Sequence, residues 1–351
     1  SVAQRMADLL EEEVGKTVRR MAARSVAQRM ADLLEEEVGK TVGYRVRFDQ
    51  RISDQTRIEV VTEGILTRRL QQDSTLEGVG MVIFDEFHER SLHSDLSLAL
   101  CRDLQLILRE DLRILIMSAT LDGAQLSSIL DNAPIITSKG RQYPIDVRYN
   151  PIDTNAHISA QVTSVINKTL KEETGDILVF LPGVREIQQT ADALSTIHSD
   201  ISIRPLYGEL SLNAQQEAIK PDAQLRRKVV LATSIAETSL TIEGIHIVID
   251  SGLARVPKFD PNSGMTKLDT VKVTQDAADQ RAGRAGRLGP GIAIRLWSEA
   301  THNYLKPQRI PEILEADLAP LVLELAQWGV KDISSMTWVT VPPKGSVEQA
   351  K

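Results

Sequence analysis

One cysteine, Cys101, stands in a chain of 351 residues. No internal disulfide can form and no cysteine-based zinc site can be built, which fits a reducing cytoplasm. Aromatic residues make up only 4%, too few for an extended platform on which bases stack. No apolar run approaches the roughly 20 residues of a membrane span. The opening residues, SVAQRMADLLEEEV, are an acidic amphipathic stretch and not a signal peptide. A basic excess is lacking too, since the net charge is −7. Contact with nucleic acid therefore has to be local, made by a few arginines and by backbone N–H groups at helix starts. The last absence is a glycine-rich phosphate loop, G-x-x-x-x-G-K-[ST], between a strand and a helix. Gly15-Lys16-Thr17 and Gly39-Lys40-Thr41 imitate its end, but Leu34 stands where the first glycine would precede Gly39, and the residues after Thr41 are strand-like.

What is present is the composition of a globular protein, 42% apolar and 25% charged, at a length that suits about two domains. Residues 1–18 recur unchanged at 25–42. Each copy reads as an amphipathic helix. Two copies fall short of the roughly three that a solenoid needs. The duplication points to a truncated or misassembled N-terminus, because the second copy runs on naturally into Gly43-Tyr44-Arg45 and the first runs into Arg19-Arg20. From residue 43 strands and helices alternate. Strands are expected at 44–48, 57–61, 79–84, 113–117, 177–181, 203–205, 228–232, 245–249 and 292–297. Helices are expected at 64–72, 95–108, 123–130, 159–171, 184–197, 213–220 and 315–328. Such alternation implies α/β architecture with parallel sheets covered by helices. A seam is expected near Lys139–Pro144. Residues 254–274 read as a hairpin turning at Asp260-Pro261-Asn262-Ser263-Gly264.

Two motifs carry chemistry. Asp85-Glu86-Phe87-His88 ends the apolar run Val79–Phe84, the end of a parallel strand where ligand sites form. An Asp suits the water shell of Mg²⁺, and a Glu can polarise an attacking water. Taken alone, the pair reads more readily as a solvated loop. The segment Gln280 to Arg287 places Arg281, Arg284 and Arg287 three apart. On a helix they share a face and repel one another unless they meet an anion such as a triphosphate. The interleaved Gly283 and Gly286 each cost about 1 kcal/mol of helix stability and argue against a plain basic stripe. Between these motifs lie Ser118-Ala119-Thr120 and the hydroxyl-rich run Thr233 to Ser239.

Together these residues resemble the DEAH-type superfamily 2 helicases. Phe87, in place of the usual alanine, makes the box most similar to the bacterial HrpB-type ATP-dependent helicases. The resemblance runs in order from Arg19 to about Gly329: RRMAAR (19–24) resembles motif Ia, TEGILTRRL (62–70) motif Ib, DEFH (85–88) motif II and SAT (118–120) motif III. LVFLPGVREI (178–187) resembles motif IV, ATSIAETSLTIEG (232–244) motif V and QRAGRAGR (280–287) motif VI.

The resemblance implies two tandem RecA-like domains, the first incomplete, at 1–140 and 141–308, with the start of a winged-helix domain at 309–351. It implies ATP and Mg²⁺, with Asp85 and Glu86 at the metal's water shell and Glu86 activating water. His88 and Gln280 would link the nucleotide to the facing domain, Arg284 and Arg287 would be arginine fingers, and Ser118 and Thr120 would couple hydrolysis to domain movement. Arg29, Ser239 and Glu243 match nucleotide-binding positions. Arg19, Arg20, Arg47, Thr62 and Thr233 match positions that hold a nucleic-acid backbone, with RNA expected over DNA. The 254–274 hairpin matches one placed to separate strands. Motif I is absent, Ser234 replaces the usual Asn, and Ile219 stands where relatives offer an aromatic to adenine. The implied function is a fragment of a cytoplasmic helicase, by itself inactive. The alternative is a non-enzymatic nucleic-acid-binding relative.

Overall fold

The computed structural model describes residues 22–119, 123–138, 140, 143–153, 156–237, 242–260 and 263–351. They form two compact units, one comprising 139–256 and 268–309, the other 19–138, 257–267 and 310–351. The expected Arg19, Arg20, Thr120 and Ser239 lie outside the described residues.

The unit that contains residues 22–138 opens with a helix, α1, over 22–33. Three short strands follow: β1 (Val42–Val46), β2 (Asp49–Arg51) and β3 (Ile58–Val61). β1 pairs antiparallel with β2 and parallel with β3. Gly39-Lys40-Thr41 lies in the turn ahead of β1, with Gly39 at φ +105°, so it does not link a strand to a helix. Next come α2 (Glu63–Gln72), β4 (Met81–Phe84), α3 (Leu92–Ile107), β5 (Arg113–Ile116) and α4 (Gly123–Ile129). β4 and β5 form a separate parallel pair. On one face Val82 and Phe84 turn into a core with Leu96, Leu100 and Leu104 of α3. Cys101 is buried there, and burial pushes its thiol up to about 12, which makes it an inert filler. On the other face Met81, Ile83, Leu115 and Met117 are each 41–52% exposed. A parallel pair is normally covered on both sides, and here one cover is missing among the described residues.

The other unit holds the fuller sheet. Its elements are β6 (Ile145–Tyr149), α5 (Ile158–Glu172), β7 (Asp176–Phe180), α6 (Val184–Ile197), β8 (Ser202–Leu206), α7 (Leu212–Ile219), β9 (Lys228–Ala232) and β10 (Ile245–Asp250). The ribbon β11 (Leu253–Asp260) and β12 (Met265–Lys272), of which residues 257–267 are assigned to the other unit, then α8 (Gln275–Gly283), β13 (Gly291–Arg295) and α9 (Glu299–Asn303), complete the run. The sheet order is β6-β13-β10-β7-β9-β8, parallel throughout. β7 and β9, neighbours inside it, are buried on both faces, so they read as continuous apolar runs. α6 packs beside them through Ile187 and Leu194, fully buried residues seven apart that fall on one helical face.

Residues 310–351 add α10 (Ala319–Trp328) and α11 (Lys344–Ala350). They complete the core beneath β4 and β5. Leu318, Leu321, Leu325 and Trp338 are buried with Leu70, Leu96 and Leu104. The indole N–H of Trp328 donates to Asp103 at 2.8 Å. Because Leu325 is fully buried, Leu325→Ala should cost about 2–5 kcal/mol, read as a lower urea midpoint for this unit. A loss under about 0.5 kcal/mol would mean that α10 is a peripheral attachment.

Candidate functional site

In the unit with β4 and β5, both strand ends carry candidate residues. Asp85 follows β4, and its carboxylate accepts from the N–H of Glu86 at 2.9 Å. Glu86 turns the chain at φ +49°, in the left-handed region that a Glu rarely occupies. That turn drops Phe87 into the core, edge-on to Phe84 with ring centroids 6.0 Å apart. Phe87 N–H donates to Met117 O, and Met117 N–H donates to Phe84 O. The acidic box and Ser118-Ala119 are thus locked side by side. His88 is buried, and its Nδ1 accepts from Ala119 N–H at 3.4 Å and lies 3.5 Å from Glu86 Oε2. Accepting at Nδ1 leaves the ring proton on Nε2, a buried atom without a hydrogen-bond partner among the described residues. Asp85 and Ser118 are exposed and Glu86 is half-buried.

Sequence reasoning missed the support behind this box. Arg90, also at φ +49°, grips Asp95 through Nε and Nη2 at 3.1 and 3.0 Å and donates to Thr340 Oγ1 at 2.8 Å. Glu312 closes the loop from the other side. Its N–H donates to Arg90 O, and its carboxylate accepts from Leu92 N–H at 2.7 Å. Burial raises Asp95, against the pull of Arg90. Arg29 on α1 and Arg47 after β1 are exposed, and Thr62 starts α2 as its N-cap without a side-chain cap bond.

The other unit builds its own constellation. α8 ends at Gly283, and Arg284–Gly286 continue as a 3-10 turn. Three residues per turn eclipse side chains at that spacing, so the Arg284–Arg287 interval suits this turn and not an α-helix. The expectation that Arg281, Arg284 and Arg287 share one anion is corrected here. Arg281 is 1% exposed and already has its anions: Nε donates to Glu237 at 2.7 Å and Nη1 to Asp250 at 2.6 Å. Arg309 also pairs with Glu237, and Arg284 donates from Nε and Nη2 to the Glu237 carbonyl. Burial pushes Glu237 up, but Arg281 and Arg309 outweigh it and leave it lowered. Asp250 stays raised by burial in spite of Arg281, and its Oδ2 has no hydrogen-bond partner among the described residues. Gly286 also has a structural reason, because a Cβ there would sit 2.8 Å from Ile145 and 2.9 Å from Tyr143 O. Gln280 is half-buried and Arg287 exposed.

Removing Arg281 leaves Asp250 buried without its cation and Glu237 with Arg309 alone. Arg281→Ala should therefore destabilise this unit by about 3–5 kcal/mol, seen as a lower thermal or urea midpoint. A change within about 0.5 kcal/mol would mean the cluster holds nothing together.

Lys228 is a second residue that sequence reasoning missed. It is fully buried at the start of β9, and its Nζ donates to the carbonyls of Ala218, Ile219, Lys220 and Glu243 over 2.8–3.4 Å. Glu243 N–H in turn donates to Ile219 O at 3.1 Å. One ammonium thus ties the end of α7 to the exposed Glu243 turn. A lysine opening an apolar strand was the only signal in the sequence. Thr233 lies at the end of β9, half-buried, its N–H donating to Leu206 O.

Two family descriptions match the chain. Residues 10–129 match the family described as "DEAD/DEAH box helicase", and residues 160–289 match "Helicase conserved C-terminal domain". The chain is 52% identical over its full length to the ATP-dependent RNA helicase HrpB of Escherichia coli K12, of which it covers 40%. It is 40% identical to the ATP-dependent RNA helicase HrpA of the same organism, covering 94% of this chain and 26% of that protein. A crystal structure of the Escherichia coli DEAH/RHA helicase HrpB superposes with a TM-score of 0.89 at 51% identity, over 95% of this chain and 42% of that one. The chain thus spans about two fifths of the length of the HrpB proteins it matches.

Proposed function

The chain belongs to the DEAH/DExH-box helicases of the HrpB type, and from that premise we propose that it is the nucleotide-hydrolysing portion of an ATP-dependent RNA helicase. The observation that carries this reading is the joining of the acidic box to Ser118-Ala119, through the Phe87–Met117 backbone bond and the Ala119–His88 bond. A solvated acidic loop would need no buried histidine linking it to the next strand.

The donor set fits magnesium–ATP in a particular way. No group of three or more His, Cys, Asp or Glu side chains able to hold a metal occurs among the described residues. Mg²⁺ that keeps most of its waters and bridges phosphates needs only one or two carboxylates, and Asp85 with Glu86 supplies those. When bound, magnesium–ATP supplies the phosphoanhydride to be cleaved and neutralises its charge. We assign Asp85 to orienting metal-bound water and Glu86 to taking a proton from the attacking water at its carboxylate. His88 holds the box against Ala119. Arg287 and Arg284 stabilise developing charge, the latter while partly committed to the Glu237 carbonyl. Arg29, Ser239 and Glu243 bind the nucleotide, and Gln280 senses it. Ser118 and Thr120 relay its cleavage. Arg19, Arg20, Arg47, Thr62 and Thr233 grip an RNA backbone without reading sequence. We place the protein in the cytoplasm. No helix among the described residues is long and apolar enough to cross a membrane.

The 351-residue chain itself contains no G-x-x-x-x-G-K-[ST] sequence, and the β- and γ-phosphates lose their main grip without that cradle. It should show no measurable ATPase. A form carrying the loop should hydrolyse ATP faster with RNA than without it. Robust turnover by the chain alone would refute the need for the loop, and a loop-bearing form inert with both RNA and DNA would favour a binding protein without enzymatic activity.

A further inference from the structure

Lys228 is fully buried, and the groups that its ammonium bonds are all backbone carbonyls. A buried charge without a bonded counter-ion is costly. Burial pulls this ammonium down from the ordinary lysine range, although Asp176 and Glu243 pull it up. An apolar residue would suit the position, since Val229 to Ala232, the rest of the strand, are apolar and buried. Part of the cost is offset by the carbonyls of Ala218, Ile219 and Lys220, the negative end of α7. That return needs no fourth bond. The fourth, to Glu243 O at 3.3 Å, reaches instead to the turn that leads into β10. The same turn is fixed from two more sides. Glu243 N–H donates to Ile219 O at 3.1 Å. Gly244 takes φ +84°, and a Cβ on it would lie 2.7 Å from Asp176 Oδ2. Asp176 is itself held through Oδ1 by the N–H of Lys228 at 2.8 Å. The Glu243 side chain stays exposed, so what these bonds fix is the place from which a solvent-facing carboxylate starts.

We propose that Lys228 is a positioning residue for nucleotide binding, fixing the Glu243 turn so that its carboxylate accepts from the ribose hydroxyls. This rests on the reading of Glu243 as a nucleotide-binding residue. Lys228 is too deeply buried to touch the nucleotide and acts only through the backbone of that turn. A carboxylate accepts hydroxyl protons well only over a narrow range of distance and direction. The buried charge is the means by which that range is met.

The test is calorimetric titration of the loop-bearing form with ADP and with 2′,3′-dideoxy-ADP, beside amide exchange of the 351-residue protein. Lys228→Met, apolar and of similar length, should weaken ADP about 3- to 10-fold. It should leave dideoxy-ADP at its wild-type affinity and speed exchange of the Glu243 amide. If Lys228→Met fails to fold, Lys228→Gln, which keeps an N–H donor, takes its place with a smaller effect of the same kind. Gly244→Ala, strained at its φ and crowded by Asp176, should shift the same turn with the ammonium intact and weaken ADP likewise. Glu243→Ala should lose the preference for ADP over dideoxy-ADP. Wild-type ADP affinity in the Lys228 variant, with ADP weakened in Glu243→Ala, would overturn the role of Lys228 alone. Wild-type ADP affinity in Glu243→Ala would overturn it together with the nucleotide reading of Glu243. Equal weakening of both ligands by the Lys228 variant would make the lysine a merely structural residue and overturn the proposal.

Discussion

Glu86→Gln, made in a form of the protein that carries a phosphate loop, should leave nucleotide binding intact and abolish turnover. The substitution keeps the size of the side chain and removes only its ability to take a proton. Glu86 is placed for that role by local geometry. Its left-handed backbone sends Phe87 into the core, so the next two side chains of the box cannot follow it outward. A positioned general base contributes about 10²–10⁴-fold. Equilibrium titration with a fluorescent nucleotide and a steady-state ATPase assay separate the two functions. RNA-stimulated hydrolysis at the wild-type rate would remove Glu86 from the mechanism.

Arg287→Ala in the same form should slow hydrolysis by ~10³-fold or more, the usual worth of an arginine finger. Arg287 is exposed at the end of the 3-10 turn, whereas Arg281, six residues earlier, is buried among Glu237 and Asp250. The two substitutions should therefore fail in opposite ways. Arg281→Ala should lose stability. Arg287→Ala should melt like wild type and lose rate, with nucleotide affinity changed much less. A rate change of only a few-fold would make Arg287 a structural residue.

Much of this contrast was beyond reach of the sequence. Spacing placed three arginines together but could not say which anion each would meet. The answer for Arg281 lies at Glu237 and at Asp250, brought close only when β10 and the turn after β9 pack. Lys228 was hidden for the same reason, because its carbonyl partners come from the end of α7 and from residue 243. The elements legible in the sequence were those fixed by local pattern. β9 and α6 fall where periodicity and apolar runs put them. β6 did not, since Ile145–Tyr149 is charged and only partly buried at the edge of its sheet. α10 begins later than expected because a 3-10 turn at Glu312–Leu314 and Pro320 delay it. Asp85 to His88 was visible as a box, but its anchorage by Glu312 and Thr340 was not, since those partners lie more than 200 residues away.

That distance has a consequence during synthesis. The core beneath β4 and β5 needs Leu318, Leu321 and Leu325, which leave the ribosome only after the whole of 139–309 has been made. The unit between can close as soon as β13 emerges, while the earlier one waits with apolar surface uncovered. Domains that fold during translation generally do so in chain order. Here the earlier unit's core can be completed only after the strands of the later unit have been made.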